Sequence, residues 1–174
     1  MKPNRSSSRG PGDLTRLAAG FGGVTLWTLA LIGFGVVAFV GFTMANDNFH
    51  AVARDEAFRS AQPSPKDLER YARERGIRTV INLRGENRSD AWYRDEVATA
   101  RRLGLRHIDF RMSARRGMSN DEAWRLIAIM RDAPKPLLIH CESGADRSGL
   151  ASALYVAGVQ GLGEVAAERQ LSLP

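Results

Sequence analysis

The sequence predicts an α/β domain, a mainly parallel central sheet flanked by helices, preceded by one N-terminal transmembrane helix. Three observations predict it. Short β-branched runs alternate with helical stripes beyond residue 60 of the 174, the pattern of strands joined by crossover helices. Residues 17–46 contain no Lys, Arg, Asp or Glu, and about 20 apolar residues suffice to cross a bilayer. Residues 47–174 are enough for one domain with its own core and too few for two.

The averages conceal this partition. With 44% hydrophobic and 25% charged residues and a mean hydropathy of -0.26, the chain resembles an ordinary globular protein. Disordered and collagen-like chains are excluded, and a single cysteine excludes a disulfide scaffold. The net charge of +6 suggests a polyanion partner until it is located. The leader, residues 1–16, carries Lys2, Arg5, Arg9 and Arg16 against Asp13, which is half of that excess. The rest is nearly balanced and lacks aromatic and basic interleaving, so no nucleic-acid partner is expected.

The apolar segment, residues 17–46 with a core at 21–44, is predicted to be an uncleaved membrane anchor. A cleaved signal peptide joins a basic start to a shorter apolar run of about 7 to 15 residues. Basic residues concentrated before the segment keep the leader in the cytoplasm and send the domain, residues 47–174, across the membrane.

Within that domain, Ser64-Pro65-Lys66-Asp67 opens a helix with a cap, a proline at the first helical position and an acid three residues on. Leu68, Tyr71 and Ala72 share a face, and Gly76 ends the helix. Thr79 to Leu83 reads as a buried strand. Tyr93, Val97, Ala100 and Leu103 form a second helical stripe before Gly104, and Arg106 to Phe110 a further strand. A basic loop with Arg111, Arg115 and Arg116 leads to Ser119-Asn120-Asp121-Glu122, a capping box. The helix it opens carries Trp124, Ile127, Ala128 and Met130, and Pro134-Lys135-Pro136 breaks it. Leu137-Leu138-Ile139 is another buried strand, and Gly149 to Val159 a last helical stretch.

Between those last two elements lies the chemistry. His140, Cys141, Glu142, Ser143, Gly144, Ala145, Asp146, Arg147 and Ser148 follow one another. A loop between a strand end and a helix N-terminus turns successive backbone N–H groups inward, and with the helix dipole it holds a tetrahedral oxyanion. Arg147 adds a bidentate fork. The same field favours the thiolate of Cys141, placed for in-line attack on a bound phosphorus. Gly144 permits the tight turn, and Ser148 can stabilise the sulfur as it leaves.

Cys141-x5-Arg147-Ser148 resembles the signature of the protein-tyrosine-phosphatase superfamily. His140-Cys141 with Gly144 is most similar to its dual-specificity-like branch. Phe58 to Pro63 and Thr79 to Arg84 resemble small bacterial membrane-anchored members and the plant and fungal atypical ones. The resemblance covers about residues 49 to 172. It implies a phosphatase that acts through a phosphocysteine intermediate without metal or cofactor, seated on a bacterial inner membrane. In that scheme Cys141 is the nucleophile, Arg147 with the backbone of residues 142 to 147 binds phosphate, Ser148 assists dephosphorylation and His140 orients the loop. It also implies a further C-terminal element and a general acid about thirty residues before the cysteine. Asp109 fills that position, with Asp121 and Glu122 as alternatives that helix capping explains better than catalysis does.

Substrates are expected to be phosphorylated proteins or small phosphomonoesters, phosphotyrosine first. Glu142 and Asp146 at the loop would repel a polyphosphorylated inositol. Arg111, Arg115 and Arg116 argue the other way, so inositol polyphosphate or phospholipid is the second reading. A non-catalytic phosphate-binding module is the third.

Overall fold

Ser64 and Ser119 each begin a helix by the same device. Ser64 accepts the Asp67 N–H while Asp67 reaches back to the Ser64 N–H, and Ser119 and Glu122 repeat the exchange. In this computed structural model residues 27–36, 48–113 and 115–171 are described. Two compact units emerge, Met1–Thr43 and Met44–Pro174.

Of the first unit only residues 27–36 are described. They are helical (α1), and all ten are exposed, including Trp27, Ile32 and Phe34. Ten helical residues span about 15 Å, half a bilayer core. The rest of the predicted span, residues 17–26 and 37–46, lies outside the described residues. Among those described, no helix is long and apolar enough to cross a membrane.

The second unit carries a five-stranded sheet: β1 (His50–Ala53), β2 (Ala57–Ser60), β3 (Thr79–Asn82), β4 (Arg106–Asp109) and β5 (Leu137–His140), in the order β1-β2-β5-β3-β4. β2, β5, β3 and β4 run parallel, and β1 is an antiparallel edge strand on β2. The sheet is thus mainly parallel as predicted, but the β1–β2 hairpin went unread. Its strands are four residues each, and Arg54-Asp55-Glu56 between them shows no Gly or Pro turn signal; Asp55 itself takes the left-handed conformation at φ 59°.

Helices α2 (Pro65–Arg75) and α3 (Ala91–Arg102) cover one face of the sheet, where Leu68, Tyr71 and Ala100 meet Phe58, Val80 and Leu138. Helices α4 (Asn120–Asp132) and α5 (Asp146–Leu154), a π-helical turn (Tyr155–Val159) and the short α6 (Glu164–Glu168) cover the other. There Leu126, Met130, Ala151 and Tyr155 meet Ile81, Leu137 and Ile139. Neighbouring strand residues alternate between the two cores, as the period of two requires.

Three details differ from the sequence reading. On α3 the buried face is Tyr93, Glu96, Thr99 and Ala100 rather than one centred on Val97, because the Glu96 carboxylate meets His107, Gln62 and the buried His140 on that side. On α4, Trp124 is 66% exposed and Ala128 faces solvent, while Leu126 takes the core position. Helix α5 begins at Asp146, three residues before the predicted start, and the Gly149 N–H closes its first turn on Ala145 O at 2.6 Å.

Candidate active site

The four parallel strands end in register, so Ser60, His140, Asn82 and Asp109 form one row along the C-terminal edge of the sheet. That is the edge where open α/β sheets place their ligands. From its centre, at the end of β5, the loop Cys141–Ala145 leads into α5.

Neighbours on three sides pin the loop. Leu83 N–H donates to His140 O at 2.9 Å and Gln62 N–H to Glu142 O at 3.2 Å; Asn48 Nδ2 donates to Ser143 O at 3.1 Å. Gly144 sits at φ 73°, and a Cβ there would lie 2.5 Å from Ala61 N. Only glycine makes this turn against β2.

Cys141 is 1% exposed. The Gly144 N–H donates to its Sγ at 3.2 Å, and Sγ lies 3.6 Å from Ser148 Oγ. Burial pushes the thiol up, but hydrogen bonds from Ser148 and the Gly144 N–H, with the Arg147 charge, outweigh it. The Cys141 thiol therefore ionises below its ordinary value. Arg147 and Ser148 occupy the first turn of α5, among the N–H groups that a helix start leaves unpaired. Glu142 is close to the Arg147 guanidinium, at 3.7 Å, with its own side chain 70% exposed.

Asp146 and Arg147 also form part of the wall of a pocket of about 220 Å³. Arg111, Arg115 and Arg116 lie on the same wall, together with the apolar Phe110, Met112, Met118 and Leu150. The basic loop thus faces the same cleft as Arg147. Glu122 is there too, but it holds Arg116 at 2.8 Å and caps α4. The Ser119 backbone N–H, then the Arg116 guanidinium, hold its carboxyl down at about 2, so Glu122 stays ionised.

Asp109 is placed differently. It ends β4, two strands from β5 and about 10 Å across the sheet, and it does not line the pocket. Its Oδ1 accepts from Asn82 Nδ2 at 2.8 Å and its Oδ2 from Tyr93 OH at 2.6 Å. Burial and then the Asp109 hydrogen bond raise the Tyr93 hydroxyl far above its ordinary range, so it remains the donor.

Sequence reasoning missed a buried polar chain behind His140. Glu96, 2% exposed, accepts from Gln62 Nε2 at 2.5 Å and meets His107 Nε2 at 2.7 Å. His140 Nε2 lies 3.2 Å from Glu96 Oε2 without the alignment of a hydrogen bond, and its Nδ1 is 3.4 Å from Cys141 O. Gln62 in turn accepts from Arg84 at 3.0 Å. The signal was present: Glu96 falls three residues after Tyr93 and four before Ala100, on the apolar side of its helix.

Residues 29–170 match the family model described as a DSP-PTPase phosphatase fused to NAD+ kinase. Comparison with curated proteins finds no match. Solved structures with a similar fold include TpbA of P. aeruginosa in complex with phosphotyrosine, 23% identical, covering 72% of each chain at a TM-score of 0.57. The catalytic core of the PP-IP phosphatase SIW14 of S. cerevisiae is 17% identical, with 71% of this chain and 73% of that one covered at a TM-score of 0.59. A DUF442 protein of Shewanella putrefaciens is also 17% identical, covering 72% of this chain and 82% of that one at a TM-score of 0.55. A family match over most of the chain, with a cysteine loop at the C-terminal edge of this sheet, places the chain in the DSP-PTPase family of cysteine-based phosphatases, the dual-specificity-like branch of the protein-tyrosine-phosphatase superfamily.

Proposed function

We propose that the chain hydrolyses phosphomonoesters through a phosphocysteine intermediate on Cys141, with phosphotyrosine, alone or within a dual-specificity range, as substrate. The observation that carries this reading is the buried Cys141 sulfur, facing the Gly144 N–H and Ser148 at the start of α5 beside Arg147. Backbone N–H groups of residues 142 to 147 and the Arg147 fork hold the phosphate. The thiolate attacks phosphorus and the P–O ester bond breaks. Water then attacks the phosphocysteine, the P–S bond breaks, and Ser148 steadies the departing thiolate.

The leaving oxygen needs a proton. Asp109 is committed to Asn82 and Tyr93, and Glu122 to Arg116 and Ser119. Asp146 lines the pocket, and no hydrogen bond or ion pair occupies its carboxylate among the described residues. It is the acid this geometry favours, giving its proton to the leaving oxygen and recovering one from the attacking water. With an alkyl phosphate, whose leaving group needs protonation most, Asp146→Asn is expected to lower kcat about 100-fold or more. Asp109→Asn is expected to leave it within about threefold. The reverse ranking in phosphate-release assays would return the role to Asp109.

Phe110, Met112, Met118 and Leu150 beside Arg147 suit an aryl phosphate. The three neighbouring arginines favour the second reading, an inositol polyphosphate or phospholipid headgroup. Comparing phosphate release from phosphotyrosine, phosphoserine and inositol polyphosphate substrates separates the two.

Residues 17–46 anchor this domain to a membrane, with the leader inside and the domain outside. The support is the charge-free run itself and the ten exposed, mostly apolar residues of α1. A C-terminal fusion to a reporter active only outside the cytoplasm should give signal; silence from a stably expressed fusion would reverse the topology.

A further inference from the structure

Arg59 is 7% exposed, in a strand paired on both sides, opposite His50 of β1 and Ile139 of β5. Alternation assigns its face. Ala57 belongs to the core beneath α4 and α5 and Phe58 to the opposite core, so Arg59, two residues beyond Ala57, points toward α5. On the parallel neighbour, Leu137, Ile139 and Cys141 lie on that same side. Cys141 is therefore one diagonal step from Arg59, about 8 Å between backbones, within the span of an arginine side chain.

The guanidinium is held in place from behind. Its Nη1 donates to Gln170 O at 2.6 Å, and a Cβ at Gly149 would lie 3.4 Å from the same atom. That puts the charge against the first turn of α5, next to Ser148. No carboxylate pairs with it among the described residues. An arginine does not shed its proton, and a buried cation without an anion is costly. Burial lowers the Arg59 guanidinium from its ordinary value, and the Cys141 thiolate is the anion whose field works against that cost.

We propose that Arg59 is a positioning residue for the reaction, the buried cation that keeps the Cys141 sulfur in its thiolate form from behind the phosphate loop. The inference rests on the reading of Cys141 as nucleophile and adds a second cation to Arg147. Other charged groups among the described residues lie around the loop. Arg147 and Asp146 approach from α5, and Glu142 is exposed beside Arg147. His140 and Glu96 sit behind the opposite face of the sheet. His50, from β1, is held below its ordinary value by burial and then by Arg59 itself.

Cys141 is the only cysteine, so alkylation of the full chain by iodoacetamide, followed by mass, reports it alone. The wild-type rate should rise with pH through a midpoint below the free-thiol value of about 8.5. Arg59→Gln retains a donor for Gln170 O but removes the charge, and should move the midpoint up by about one pH unit, slowing alkylation at pH 6 about tenfold. Arg59→Lys keeps the charge and should stay within about threefold of wild type. A depressed wild-type midpoint that Arg59→Gln leaves in place overturns this inference alone. A wild-type midpoint at the free-thiol value overturns the nucleophile reading and this inference with it. Should Arg59→Gln fail to fold, Arg59→Lys decides: a retained midpoint supports the counter-charge, and a return to the free-thiol value overturns it.

Discussion

Cys141→Ser is expected to abolish phosphate release, by at least about 10⁴-fold, while leaving the chain folded and able to bind phosphate. The asymmetry follows from what the site offers. Burial pushes the thiol up, and Ser148, the Gly144 N–H and Arg147 together more than offset it, so the thiol ionises more readily than an ordinary one. A serine hydroxyl starts several units higher, and among the described residues no base lies against it. His140, the adjacent histidine, turns its ring toward Glu96 and the Cys141 carbonyl rather than toward the sulfur. In the proposed mechanism binding relies instead on backbone N–H groups, Arg147 and the glycine turn at φ 73°, which the substitution does not touch. The new hydroxyl meets the same Gly144 N–H and Ser148 Oγ, so the cost to stability is about 1 kcal/mol. Acid-quenched wild type incubated with an aryl phosphate should carry a phosphorus adduct on its one cysteine, and the variant none. Turnover by Cys141→Ser within tenfold of wild type would remove the covalent mechanism.

The reactive loop was legible because its chemistry is contiguous. Cysteine, glycine, arginine and serine stand within eight residues, and apolar runs on either side announce a strand and a helix. The crossover helices were legible because Ser64 and Ser119 carry complete capping boxes, which depend only on neighbours three residues apart. What sequence alone did not yield lies in contacts between distant residues. Asp109 stands at the expected spacing before Cys141, yet register sets it two strands away with both oxygens engaged by Asn82 and Tyr93. Asp146 reads as one more loop residue until α5 is seen to begin there, on the wall of the pocket. Arg59 looks like a polar residue in a short strand, and only the pairing of β2 with β5 shows that it shares a sheet face with Cys141.

Glu96→Ala is expected to be the most destabilising substitution in the domain outside its apolar cores. It leaves the fully buried His140 and the partly buried Gln62 amide and His107 without the carboxylate they converge on. Removing one member of such a buried set costs about 3 to 5 kcal/mol, which in a domain of this size lowers Tm by roughly 10 °C or more. The pH dependence separates loss of charge from loss of packing. Burial alone would raise the Glu96 carboxyl, but His140, then His107, hold it down at about 2, below the ordinary 4.5. A carboxylate depressed in the folded state contributes stability that is fully present above about 4.5 and disappears as pH falls toward 2. Wild type should therefore lose stability across that window, and Glu96→Ala, already without the contribution, should show a shallower slope there. Because His140 immediately precedes Cys141, the loss also reaches the reaction: kcat should fall even at temperatures where the variant is fully folded. A Glu96→Ala protein with wild-type Tm, acid slope and kcat would mean that the carboxylate is neither holding the histidines nor bracing the loop.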